Sequence, residues 1–321
     1  MARARVVKAL YAVATVLLLA APAPAGPVPA PAAVARPSPR VPGVRGLEIA
    51  VPAYVWADDP MLSRLADAGP AVSVVVLNPG NGDAPFNAPW QARADALRAG
   101  TTATGERTKV LGYVHTDHGN RDVAAVRASV DNYVKTPDGR LHVDGIFFDV
   151  AGRDCGPANA TRDLYEQLRR YVEDAMGAVD PAVPDLVVDN PGTAIADCYL
   201  EPGHRTADVF VTFEDTYAAY TSGGWLGGNV FNESGGYRGG SELDPSGTAF
   251  WHLVHDVPDA SAMRSTLRTA FDRGAGYAYA TGAVMPNPWN TPPAWPYSGQ
   301  TGFAATVGRR RRRPRRGGRL R

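Results

Sequence analysis

Residues 143–149 read VDGIFFD and residues 208–214 read DVFVTFE. Each is a short run of β-branched, aliphatic and aromatic residues that ends on a carboxylate, Asp149 in the first and Glu214 in the second. Runs of this length and composition are expected to form buried strands. Outward from these two, the same signal recurs at Leu47–Trp56 (LEIAVPAYVW), Val72–Asn78 (VSVVVLN), Lys109–Thr116 (KVLGYVHT), Asp185–Asn190 (DLVVDN), Thr248–Val254 (TAFWHLV) and Gly276–Thr281 (GYAYAT). Helical spacing of apolar residues fills several of the intervals. Pro89–Ala99 carries Trp90, Ala94 and Leu97; Arg121–Val134 carries Val123, Val126, Val130 and Tyr133. Asn159–Met176 carries Leu164, Leu168, Val172 and Met176; Asp259–Phe271 carries Met263, Leu267 and Phe271.

Strands that alternate with helices, mostly without hairpin turns, predict parallel pairing. Eight of them in one domain predict an α/β protein built as a single (β/α)8 TIM barrel over residues 47–300. An open doubly wound sheet is the competitor. It would be expected to carry a glycine-rich phosphate loop after its first strand, where this chain has YVWADDP. The glycine-rich segment 222–247 is expected to form an excursion over the barrel mouth.

The ends of the chain read differently. Arg3, Arg5 and Lys8 precede an apolar run from Ala9 to Ala21, and Ala23 and Ala25 offer an A-x-A cleavage site. Residues 1–25 are therefore expected to be a secretory signal, and the Pro/Ala-rich residues 26–46 an extended linker. Residues 301–321 are expected to be a disordered basic tail, which from Arg309 reads RRRRRPRRGGRLR. Removing its nine arginines and the three basic residues of the signal turns the formal net charge from +1 to −11. An acidic body argues against a nucleic-acid partner. No later segment is apolar for long enough to span a membrane. A secreted monomer is the expectation. Its two cysteines, Cys155 and Cys198, are expected to pair in a disulfide, as neither lies in a metal-binding spacing. A zinc site is not expected.

Catalytic side chains of such barrels come from the C-terminal ends of the strands. Those ends offer Tyr54, Asn78, Tyr113, His115, Asp149, Asn190, Glu214, His252 or His255, and Tyr279. Two carboxylates on one platform suit glycoside hydrolysis, in which one protonates the leaving oxygen and the other attacks or activates water. Asp149 and Glu214 are the candidate catalytic pair. The bland alternative for a strand-end Asp is capping of the next segment. Tyr54, Tyr113 and Tyr279 are candidates to stack on sugars, or mere packing. Asn78, His115 and Asn190 are candidate substrate contacts, although Asn78-Pro79-Gly80 and Asn190-Pro191-Gly192 also read as turns.

In chain order, VPAYVW at Val51, VVLNPGNG at Val75, LGYVHT at Leu111, DGIFFD at Asp144, VVDNPG at Val187, VTFE at Val211, YAYAT at Tyr277 and NPWNTPPAW at Asn287 resemble the spherulation-specific family 4 proteins. The resemblance covers the body from Leu47 to Trp295. It implies a secreted barrel hydrolase that cuts α-1,4-linked galactosamine and N-acetylgalactosamine polymers from within, without metal or cofactor. It also implies Asp149 as nucleophile and Glu214 as acid/base. Related hydrolases often carry a second acid directly after that Asp; here the residue is Val150, with Asp154 and Asp215 as possible stand-ins. The departure keeps a second function open: a barrel that binds a coat or matrix polysaccharide without cutting it.

Overall fold

The computed structural model describes residues 46–201, 203–222 and 249–307. The expected signal, most of the linker, the arginine run and most of the 222–247 excursion lie outside the described residues. Eight parallel strands close into a barrel in chain order, the last pairing with the first. They are β1 (Glu48–Ala53), β2 (Val74–Leu77), β3 (Lys109–His115), β4 (Gly145–Asp149), β5 (Leu186–Asn190), β6 (Val209–Thr216), β7 (Ala249–His255) and β8 (Tyr277–Ala280). The fold is the expected (β/α)8 barrel. Among the described residues, no helix is long and apolar enough to cross a membrane.

The expected helices form as α2 (Ala88–Arg98), α3 (Val123–Val134), α4 (Ala160–Val179) and α6 (Ala260–Asp272). Three short ones escaped the periodicity: α1 (Pro60–Ala66), α5 (Tyr217–Ser222) and α7 (Tyr297–Ala304). Each is too brief to show a repeating apolar stripe. A start signal for α1 was nonetheless present, because Asp59 caps the Met61 amide at 2.8 Å and Pro60 occupies the first turn. The same device starts α3 at Asp122 and α6 at Asp259.

Two buried aspartates tie the N-terminal end of the barrel. Asp144, just before β4, accepts from the Val110 amide of β3 at 2.9 Å and pairs with Arg98 and Arg107. Asp208, just before β6, accepts from the Val187 amide of β5 at 2.9 Å and pairs with Arg169 and Arg205. Gly145 follows the first of them with φ +155°, and a Cβ there would stand 1.9 Å from the Leu186 carbonyl oxygen. Only glycine admits this approach of β4 to β5.

One boundary is corrected. The body does not end at Gln300 but runs through α7 to Val307. The Thr301 hydroxyl donates to the Pro70 carbonyl at 2.7 Å, and Ala304 and Val307 are buried. With Leu47 and Ile49 they line an apolar pocket at the entry to β1. A chain ending at Gln300 is expected to lose about 2–4 kcal/mol of stability, from the burial of Val307 and its neighbours. A chain ending at Val307 is expected to melt like the full-length protein. Equal melting temperatures for the two truncations would refute this.

Candidate active site

The C-terminal strand ends bring Asp149 and Glu214 together around one amide. Asn190, at the end of β5, donates through Nδ2 to Asp149 Oδ1 at 2.6 Å and to Glu214 Oε2 at 2.8 Å. The two acceptor oxygens are therefore at most 5.4 Å apart, the sum of those bonds. The Gly192 amide donates to Asn190 Oδ1 at 2.9 Å, which fixes which way the side-chain amide faces. Gly192 also accepts from the Glu214 backbone amide at 2.9 Å. The turn read in Asn190-Pro191-Gly192 and the site are one structure.

Glu214 reaches the mouth because β6 is irregular. Val211 pairs with Trp251, yet Phe213 pairs with His252, so one residue bulges between them. Trp251 packs on Phe147 inside the barrel, ring centroids 5.7 Å apart. Val211 shares that inner face. Regular alternation would put Phe213 inside as well and turn Glu214 out. The bulge at Thr212 reverses the order. Phe213 packs outside on Tyr220 of α5 at 4.6 Å, and Glu214 points inward.

Trp289, in the segment after β8, donates its indole N–H to Glu214 Oε1 at 2.8 Å. It was not among the candidate residues, and the only trace of it was its place in NPWNTPPAW. Its backbone carbonyl accepts from the Tyr54 amide at 3.0 Å, which ends β1 three residues before Trp56. His255 and Tyr279 pack on its ring, with centroids 6.0 Å away in both cases.

The remaining candidates divide. Tyr113 hydrogen-bonds Asp149 through its hydroxyl, and Tyr54 stands edge-on to the Tyr113 ring with centroids 5.2 Å apart. Burial, and after it the charges of Asp149 and Glu214, raises both tyrosines' pKa above the usual phenol value. His115 pairs in register with Asp149, and its charge favours the ionised form of that carboxyl. Tyr279 is a correction: it is fully buried and supports Trp289 and Tyr297, so it offers no face to a ligand. Asn78 forms the turn read in the sequence, its Oδ1 accepting from the Asn81 amide at 2.8 Å. Asp154 and Asp215 are exposed and accept hydrogen bonds from backbone amides within two residues of themselves.

Burial raises the pKa of both catalytic candidates. Desolvation, then the charge of Asp149, pushes Glu214 up to about 7, against hydrogen bonds from Asn190 and Trp289. Asp149 is also raised by desolvation, but Tyr113, the Val150 amide and Asn190 all stabilise its anion. Of two like carboxylates, the one with more donors ionises first. Val150 itself has φ +51°, a left-handed conformation that is unfavourable for a β-branched residue. Its carbonyl is held by the His118 amide at 2.6 Å and the Thr116 hydroxyl at 3.0 Å. Such strain next to a reactive group is a feature of functional sites.

The disulfide forms as expected. Cys155, after β4, and Cys198, after β5, are bonded with Cα atoms 6.1 Å apart. The Ala196 amide donates to the Arg153 carbonyl at 2.9 Å between the same two loops. The loops that follow Asp149 and Asn190 are thereby tied together. A second cluster of ligand-type side chains, Asp163, Glu166 and His204, lies on α4 and the β5–β6 connection. Its carboxylates already pair with Arg162 and Arg170.

Comparison with known proteins gives the same fold and a family. Sph3 of Aspergillus clavatus, solved in complex with GalNAc, superposes with a TM-score of 0.59 and 24% identity, covering 81% of this chain and 99% of that one. At this identity the likeness shows the fold. Spherulin-4 of Physarum polycephalum is 27% identical over 170 residues, which is 53% of this chain. The chain spans 45% of the length of that relative. The family model for spherulation-specific family 4 matches residues 48–298, from the first strand to the segment beyond Trp289, and the chain belongs to that family.

Proposed function

We propose that this protein is a secreted, retaining glycoside hydrolase that cuts inside α-1,4-linked galactosamine and N-acetylgalactosamine polymers. The observation that carries the reading is the shared Asn190 amide, which holds two carboxylate oxygens within 5.4 Å. Retaining glycosidases place their carboxyl groups about 5–5.5 Å apart, whereas inverting ones leave about 6.5–9.5 Å for a water. The GalNAc bound by Sph3, a protein of the same fold, supports the sugar class.

In this mechanism Asp149 attacks the anomeric carbon while Glu214 protonates the departing glycosidic oxygen. The glycosyl ester on Asp149 carries no charge, so the main charged neighbour that raised the Glu214 pKa is gone. Glu214 therefore ionises more readily and, as the carboxylate, takes the proton of the water that displaces the sugar from Asp149. Tyr113 and Asn190 hold Asp149 in line. Incubation of the purified protein with galactosamine-rich exopolysaccharide is expected to release oligosaccharides. Tight binding without any release would favour the alternative of a binding barrel, for which Val150 in place of a second acid is the motivating observation.

The pH dependence follows from the raised carboxyl groups. Activity requires Glu214 protonated, so kcat/KM is expected to fall as pH rises through about 7. Asp149 must be ionised, and its raised pKa puts the acid limb above the ordinary carboxylate range. A plateau extending unchanged to pH 9 would exclude Glu214 as the acid.

A further inference from the structure

Among the described residues, Trp56, Val179, Val284 and Met285 are the large hydrophobic side chains that stay exposed. Three of the four follow the C-terminal ends of β1 and β8, which are adjacent strands. Trp56 is 72% exposed, Met285 64% and Val284 61%. Exposed apolar surface gathered on one rim needs a reason, whereas a single exposed residue does not.

The Trp56 backbone is held in place. Its carbonyl accepts from the Asp59 amide at 3.0 Å, and that of Ala57 accepts from Arg93 Nε at 2.7 Å. Two residues earlier, the Tyr54 amide is tied to Trp289, the residue that donates to Glu214, and the Tyr54 ring senses both carboxylates. Trp56 thus lies two residues along the chain from Tyr54, whose backbone is tied through Trp289 to Glu214, on the β1–β8 side of the site.

We infer that Trp56, with Val284 and Met285 of the segment that follows the neighbouring strand β8, forms an outer sugar-binding subsite. It takes the apolar C–H face of a pyranose ring in the same polymer, beyond the rings at the point of cleavage. The inference rests on the reading of the site as a glycosidase and adds the direction in which the polymer leaves it. An indole supplies a flat, weakly polar face at little conformational cost, which suits a ring whose hydroxyls remain in water.

The test measures binding of α-1,4-galactosamine oligomers of two to eight rings to the Glu214→Gln protein, with and without Trp56→Ala. Affinity is expected to rise with length, and Trp56→Ala to remove about three- to tenfold of the gain on long oligomers only. Trp56→Phe is expected to restore part of it. On the active protein, Trp56→Ala is expected to raise KM for polymer while kcat on the shortest cleaved substrate stays unchanged. Length-dependent binding that Trp56→Ala leaves unaltered overturns the subsite and spares the glycosidase reading. Failure of the parent protein to bind oligomers of any length overturns both. Because Trp56 is exposed, an unchanged melting temperature is expected and separates lost binding from lost fold.

Discussion

Asp149→Asn and Glu214→Gln are each expected to lower hydrolysis by about 10²–10⁴-fold or more while the protein folds normally. Each amide is nearly isosteric with the acid it replaces, so packing around Tyr113, Asn190 and Trp289 changes little. The chemistry changes, because an amide is a poor nucleophile and cannot cycle between acid and base. The two variants are expected to fail differently. With an activated leaving group, the first step needs little protonation, so Glu214→Gln keeps measurable glycosylation and loses the alkaline limb near pH 7. Asp149→Asn gains nothing from such a substrate. Near-normal rates in Asp149→Asn would place the nucleophile elsewhere.

Stability moves the other way. Both carboxyl groups have folded-state pKa values above their ordinary ones. The folded state therefore binds protons more readily than the unfolded chain, and stability falls as pH rises from the carboxylate range through about 7. At pH 8 the amide variants are expected to melt at or above the parent, with the difference vanishing in acid. This is the expected signature of a site assembled for function at some cost in stability.

The largest loss of stability is expected from Asp208→Ala, about 3–5 kcal/mol. Its carboxylate is 2% exposed and faces Arg169, which is 3% exposed. Removing the acid leaves a guanidinium deep between α4 and the barrel without that partner, and leaves the Val187 amide without its acceptor. Asp144→Ala is expected to cost less, because Arg107 is 40% exposed and can turn to water. Denaturant unfolding with unchanged m-values checks both. A cost below about 1 kcal/mol for Asp208→Ala would show that the barrel base is held by packing alone. Since Asp208 sets where β6 enters the sheet beside β5, surviving protein is also expected to hold Asn190 and Glu214 less firmly at the other end.

The barrel was legible in the amino-acid sequence because each strand is a local apolar run and each run ends on its own polar residue. Period and punctuation are properties of neighbours in the chain. The same locality exposed Asp149 after GIFFD, Glu214 after VFVTF and the pairing of Cys155 with Cys198, since two cysteines allow one bridge. Tertiary structure alone decided which strand-end side chains meet. Phe213 and Glu214 compete for the inner face of β6, and a one-residue bulge against β7 settles it in favour of Glu214. Tyr279 and Tyr113 look alike in sequence, yet the Trp289 ring packs on Tyr279, which is fully buried, while Tyr113 reaches Asp149. Trp289 arrives at Glu214 from 75 residues away. The Asn190 amide spans β4 and β6 because both strands pair directly with β5. Local sequence specifies strands and their chemistry; distances between carboxylates are set by register, and register is a property of the closed barrel.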